Sequence, residues 1–428
     1  MWIVQVGGEA VNSRGRLPHV ALASTSANRS TSWKRTATVL GALLTGTAMV
    51  GFAAWVGCGI YDPSLLLPGA DEGGADDVVE APTTTDAGAD VPPAPCAEVF
   101  PPTKPAADDP SDAGHQTFLV ALHTLDLGIR TDGGTPPLFG YDLDNVFTCC
   151  DGGASSCKPP VIGSLCDENG GRDNSGGQLI ASLALLDPTQ FNANTISQRL
   201  QDGVYSLIVQ VSDYNGTAND TQIVAGLYAS DGLDPGPDGG VPLAKWDGTD
   251  VWTIDDQFVL NGADASPILP NHFDSHAYVV NGLMVMQVNF PISLGTSSTG
   301  AITISLTGGV ITADVVPMPG GGFRATNGQV AGRWNASSVL TAAQSLTLAG
   351  QPICPGSSLY KNVKQQICTA ADITTDPSQD NKGQACDALS VAFGFTADPA
   401  LMGSVISSGA KPGTCGEAGV IVDDCTMP

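Results

Sequence analysis

Residues 301–316 read Ala301-Ile302-Thr303-Ile304-Ser305-Leu306-Thr307-Gly308-Gly309-Val310-Ile311-Thr312-Ala313-Asp314-Val315-Val316. Up to Thr307 the chain alternates, which puts Ile302, Ile304 and Leu306 on one face of a strand. Gly308-Gly309 is a two-residue link of the kind that closes a hairpin, and the β-branched run after it reads as the return strand. The same period recurs on both sides. Tyr205, Leu207, Val209 and Val211 form a stripe, 221–229 follows a turn, and strands are expected at 117–124, 250–260 and 276–290. Asn281-Gly282 divides the last of these as a type I′ turn would. Many short strands parted by Gly, Asn, Asp and Pro predict a two-sheet antiparallel β-sandwich.

Helical spacing is sparse. Leu179, Leu183 and Leu186 share a face after Gly176-Gly177. Val339, Leu340, Ala343 and Leu346 share another, with Asn335 as N-cap, and Leu359, Val363, Ile367 and Ala371 a third, with Ser357 or Ser358 as cap. The last two predict a disulfide-rich helical insertion over 327–386. Residues 389–395 then alternate again as a strand rejoining the sandwich.

Charge divides the 428-residue chain into zones. The whole carries 43 acids against 17 bases, a net −26, which argues against a nucleic-acid or anionic-lipid surface as partner. Residues 1–58 are basic, with Glu9 alone against Arg14, Arg16, Arg29, Lys34 and Arg35. Lys34-Arg35 precede an uncharged apolar run from Thr36 to Tyr61, the form of an export signal. An uncleaved membrane helix is the alternative reading, weakened by the glycines at 41, 46, 51, 57 and 59. Trp55-Val56-Gly57-Cys58 resembles a bacterial lipobox, in which the cysteine is acylated and becomes the mature N-terminus. Trp55 departs from the leucine usual there. By the same resemblance, Gly59 in place of an acidic residue implies the outer membrane.

Residues 59–115 hold Lys104 against twelve acids among many prolines, which predicts an extended disordered tether. The folded domain is expected over 116–428. Setting Cys58 aside leaves Cys96, Cys149, Cys150, Cys157, Cys166, Cys354, Cys368, Cys386, Cys415 and Cys425. Ten is an even number suited to five bridges in an oxidising compartment, and no paired CxxC spacing points to zinc. Bridges are expected mostly within the 149–166 and 354–425 clusters, with Cys368 joined to Cys354 or Cys386.

Four segments across 140–396 carry a family resemblance: Gly140-Tyr141-Asp142-Leu143-Asp144-Asn145, Cys166-Asp167 with Gly171-Arg172-Asp173-Asn174, Asp213-Tyr214-Asn215-Gly216, and Cys386-Asp387-Ala388-Leu389-Ser390. In these the chain resembles exported lipoproteins of myxobacterial type. The resemblance implies a concanavalin A-like or galactose-binding-like sandwich and brings no assigned activity.

Chemistry-bearing residues concentrate in acidic loops. Asp142/Asp144/Asn145, Asp167/Asn169/Asp173/Asn174 and Asp213/Asn215/Asn219/Asp220 are clusters of hard oxygen donors on turns, which suits Ca²⁺. Asp142, Asp144 and Asp173 are the first candidates, followed by Asp213, Asn215 and Asp220, whose loop loosely resembles that of legume-type lectins. The plainer reading is that these side chains cap their own turns. His272, Asp274 and His276 share a face if extended, but without a persuasive third histidine. Tyr214, within a polar turn, is the candidate exposed ring for stacking on a sugar.

Catalytic signatures are mostly missing. Gly295-Thr296-Ser297-Ser298-Thr299 fails the nucleophile-elbow pattern at its last position, and Glu168 and Glu417 are the only glutamates after residue 115. The expectation is a non-enzymatic, lipid-anchored envelope protein that binds glycans or other surface components. A secreted glycan-active hydrolase using Asp carboxylates is the alternative.

Overall fold

The alternating segments do form strands, but the strands close on themselves. A computed structural model describes residues 96–110, 114–128, 138–150, 154–160, 166–186, 193–236, 239–240, 242–262, 266–296, 300–348, 350–407, 415 and 421–426. The expected leader, Cys58 and the tether up to residue 95 lie outside them.

The elements run β1 (Gln116–Asp126), α1 (Ser175–Leu186), α2 (Ala193–Gln201), β2 (Ser206–Tyr214), β3 (Asp220–Ser230), β4 (Val251–Asp255), β5 (His272–Val280) and β6 (Leu283–Thr296). After them come β7 (Gly300–Pro317), β8 (Phe323–Asn335), α3 (Ala336–Ala343), β9 (Thr347–Leu348), β10 (Gln351–Pro352), α4 (Ser358–Thr369), β11 (Ala388–Pro399) and β12 (Leu401–Ile406). Eight of the strands form a closed antiparallel barrel in the order β1-β11-β8-β7-β6-β5-β3-β2. β1 makes the closure: its Val120 pairs with Pro399 of β11 and its Ala121 with Ile208 of β2.

The two-sheet sandwich is therefore wrong. Period-two alternation says which residues face inward and is silent on whether the first and last strands meet. Gly308-Gly309 is a second correction. These glycines lie inside the continuous β7, where its register to both neighbours shifts. A Cβ on Gly309 would stand 2.5 Å from the Val288 carbonyl oxygen, so glycine there permits close strand approach rather than a turn. Asn281-Gly282 is a true hairpin link, with φ of 51° and 82° and Val280 paired to Leu283.

The helical insertion is also shorter at its start than 327–386. Residues 327–335 belong to β8, and α3 begins only after Asn335, whose side chain accepts from Ser338 N–H. Ser357 caps α4 through Tyr360 N–H. β11 then returns into the barrel beside β8.

Inward-facing Val209, Ile223, Leu227, Val279, Met286, Val330 and Val391 fill the barrel, with Leu179, Leu200, Leu340 and Ile367 of the helices in the same core. Each such side chain contributes about 1.5–3 kcal/mol by burial. Two apolar clusters cover parts of the outer face. Trp252, Ile254 and Phe258 lie on Ala121, Ile208 and Tyr228, while Tyr141 and its neighbours lie on Val310, Ala331 and Ala392.

Five disulfides use all ten expected cysteines. Cys149–Cys166, Cys354–Cys415 and Cys368–Cys425 stay within their clusters. Cys157–Cys386 joins the two clusters and Cys96–Cys150 reaches upstream. Cys368 thus pairs with neither Cys354 nor Cys386. Residues 96–110, read above as tether, are instead laid on the domain. Val99 N–H donates to Gly170 O, Tyr278 Oη to Pro102 O, and Thr221 N–H to Asp108.

Candidate metal centre

Tyr141 fixes the first acidic loop to the outside of the barrel. Its hydroxyl lies 2.8 Å from Thr312 Oγ1 of β7 and accepts from Gln329 Nε2 of β8. Gly140 holds a φ of 105°, and a Cβ there would sit 2.9 Å from the Ala392 side chain, so only glycine lets the loop lie this close to β11. The second acidic loop is tied to the first by Asp173 N–H to Tyr141 O, and to β11 by Ala392 N–H to Asn174 Oδ1.

These two anchors bring Asp142, Asp144 and Asp173 together. One carboxylate oxygen from each lies within 4.8 Å of the others. The three residues are 4%, 2% and 1% exposed. Among the described residues no other group of acidic, His or Cys side chains converges in this way. Backbone N–H groups occupy part of the oxygen set. Asp142 Oδ1 accepts from Asn145, Asp144 and Val146, Asp144 Oδ1 from Val146, and Asp173 Oδ2 from Leu143. Ser156 Oγ donates to Asp144 Oδ2. Asp142 Oδ2, fully buried, has no partner.

Two further carboxylates border the trio. Asp167 accepts from Thr148 N–H, and Asp372 from the N–H and hydroxyl of Ser390. Burial raises all five carboxyls above the ordinary 3.8, and charge repulsion among them adds to it at Asp142, Asp167 and Asp173. Asp142 and Asp372 are pushed up to about 6 and Asp167 to about 7, while Asp173 is raised well above its usual range. Folded carboxyls that titrate higher than unfolded ones hold extra protons between the two values. Stability of the cation-free protein is therefore expected to fall as pH rises from about 4.5 to about 7. Thermal melts in chelator across that range test this, and a midpoint that stays flat or climbs would contradict it.

The donor set is all oxygen, the chemistry of Ca²⁺ or Mg²⁺ rather than of zinc. The nearby thiols are spent, since Cys149, Cys150, Cys157 and Cys166 are all in disulfides.

The other half of the expected ligand set does not join. Asp213, Asn215 and Asp220 sit at the β2–β3 turn and serve it locally. Asp220 Oδ2 accepts from Asn215 N–H, Asn215 Oδ1 accepts from Thr217, and Asp213 adopts a φ of 64°. Tyr214 is not an exposed platform. It is 3% exposed, lies edge-on to Phe118 and Phe323, and donates its hydroxyl to Thr217 O. Asp274 caps its own segment through His276 N–H and accepts from Gln287 N–H.

Asp372, Asp380 and Arg333 escaped the sequence reading. None lies in an acidic run, and the barrel alone brings them beside residues about 200 positions away, a proximity that only tertiary structure creates. A scan against protein-family models and searches of curated proteins and of solved structures returned no match.

Proposed function

We propose that the chain is an exported, lipid-anchored envelope protein. Its disulfide-stapled barrel is locked by a Ca²⁺ ion held by Asp142, Asp144 and Asp173, and it acts by binding glycans or other surface components rather than by catalysis. One observation carries the cation: three nearly inaccessible carboxylates converge, and one oxygen, Asp142 Oδ2, is buried without a partner. Such a cluster needs either protons or a cation to offset its repulsion. An ion there would join the 138–150 loop to the 166–175 loop, a structural role. A hydrolase using these carboxyls would need them facing one another across an open cleft, and their burial weighs against it.

Three features support the envelope reading. They are the basic-apolar leader ending at Cys58, the complete pairing of the other ten cysteines, and a barrel whose interior is apolar. Membrane-spanning barrels carry their apolar band outside, so anchoring falls to the lipid.

Calorimetric titration with Ca²⁺ after chelation should give saturable heat. A concentration 100-fold above Kd should add about 2.7 kcal/mol of stability. Asp142→Asn should abolish the heat while leaving the fold intact. Absence of both heat and a Tm shift in the native chain refutes the cation. A glycan array run with Ca²⁺ and with chelator tests the binding role.

A further inference from the structure

The protein itself engages four of the six oxygens of Asp142, Asp144 and Asp173. Hydrogen bonds reach Asp142 Oδ1, both oxygens of Asp144, and Asp173 Oδ2. Ca²⁺ takes six to eight oxygens, so the trio alone leaves it short of ligands. Asp142 Oδ2, buried and without a partner, points to the side from which another is supplied. It borders a gap over Gly171. A Cβ on Gly171 would lie 3.4 Å from Asp142 Oδ2 and 3.4 Å from Glu98 Cγ, so glycine keeps open a space between two carboxylate side chains from different segments. The backbone around Glu98 is already in place. Val99 N–H donates to Gly170 O at 2.8 Å, Asp142 N–H donates to Val99 O at 2.9 Å, and the Cys96–Cys150 bridge lies two residues before Glu98. The Glu98 side chain is exposed and makes no hydrogen bond or ion pair among the described residues, and its charge repels that of Asp142.

We infer that Glu98 is the fourth carboxylate of the cation centre: it turns over Gly171 to share a Ca²⁺ ion with Asp142 Oδ2, and the ion thereby pins the 96–110 segment to the domain. The inference rests on the cation centre proposed above and adds to it a ligand and a consequence. Only side-chain rotation is required, since Val99 fixes the backbone on both sides of the gap. An exposed carboxylate also gives the ion a first point of capture that the buried trio lacks. Two carboxylates across one gap repel when it is empty and attract a shared divalent ion when it is filled.

The test is calorimetric titration of the disulfide-intact protein with Ca²⁺, in the native chain and in two variants that each remove one negative charge from the segment. Glu98→Gln should weaken binding about 10- to 100-fold, because the number of charged ligands sets the affinity of such sites. Asp108→Asn, near the other end of the segment where Asp108 meets Thr221, should leave affinity within about twofold, since a screened distant charge contributes little. Unchanged near-ultraviolet circular dichroism in chelator checks the fold of both. Hydrogen exchange reads the pinning: saturating Ca²⁺ should slow exchange at Val99 N–H in the native chain and not in Glu98→Gln. If the native chain binds Ca²⁺ and Glu98→Gln binds it equally, or Asp108→Asn loses as much as Glu98→Gln, the role of Glu98 is overturned while the cation centre stands. Exchange at Val99 that ignores Ca²⁺ overturns the pinning, and a native chain that takes up no Ca²⁺ overturns the centre and this inference together.

Discussion

Arg333→Met is expected to destabilise the fold by about 3–5 kcal/mol, the cost of leaving one member of a buried ion pair alone. Arg333 faces outward from β8, yet its side chain is only 2% exposed, because the segment after α4 lies over it. Its guanidinium meets Asp380 in fork geometry at 2.9 and 2.6 Å, and donates to Thr374 O at 2.7 Å and to Leu143 O. One side chain thus holds the loop that carries Asp142 and Asp144 and the segment that carries Asp372. Lysine should not rescue, since a point charge cannot make the bidentate contact. Replacing both partners, as in Arg333→Met with Asp380→Leu, should recover most of the loss by removing the unpaired carboxylate. Urea unfolding midpoints of the three variants decide this. A single variant that loses under about 1 kcal/mol would show that the pair contributes little.

Removing Cys157–Cys386 through paired alanine substitutions should cost about 5 kcal/mol, against about 3 for Cys149–Cys166. The two bridges span 229 and 17 residues, and the entropy that a crosslink removes from the unfolded chain grows with the logarithm of that span. The longer bridge also sits at a joint. Lys158 N–H donates to Gln384 O and Cys386 N–H to Lys158 O, so the first cysteine cluster is hydrogen-bonded beside the bridge to the segment leading into β11. Denaturation of the two double variants under non-reducing conditions ranks them, and the reverse order would sink the argument.

Local structure was legible wherever neighbours in sequence decide it. Asn281-Gly282 adopts the turn that its residue types demand, Asn335 and Ser357 cap the helices they precede, and the stripe Leu207, Val209, Val211 lies in the core. Long-range closure was not legible, because nothing in the alternation of β1 distinguishes pairing with β2 alone from pairing with β11 as well. β8 was missed as well, since Asn327, Gly328, Gln329 and Gly332 dilute its pattern. α2 has a polar face too short to stand out in the sequence. At the acidic site, residue type and loop position identified Asp142, Asp144 and Asp173. They could not separate these from Asp213, Asn215 and Asp220, because a carboxylate that caps its own turn and one that faces its neighbours use the same residues at the same spacing.

The seam between β1 and β11 sets an order of events. Val120 finds its partner at Pro399, so the first strand waits, exposed along one edge, until β11 has been delivered. A chain delivered from its N-terminus would stay open until β11 arrives. α4 and Cys386 arrive late, so the Cys157–Cys386 bridge can form only shortly before the edge disappears. Late closure of this kind keeps the polypeptide pliable until β11 has formed, and makes the waiting edge of β1 the place where a chaperone would have to stand guard.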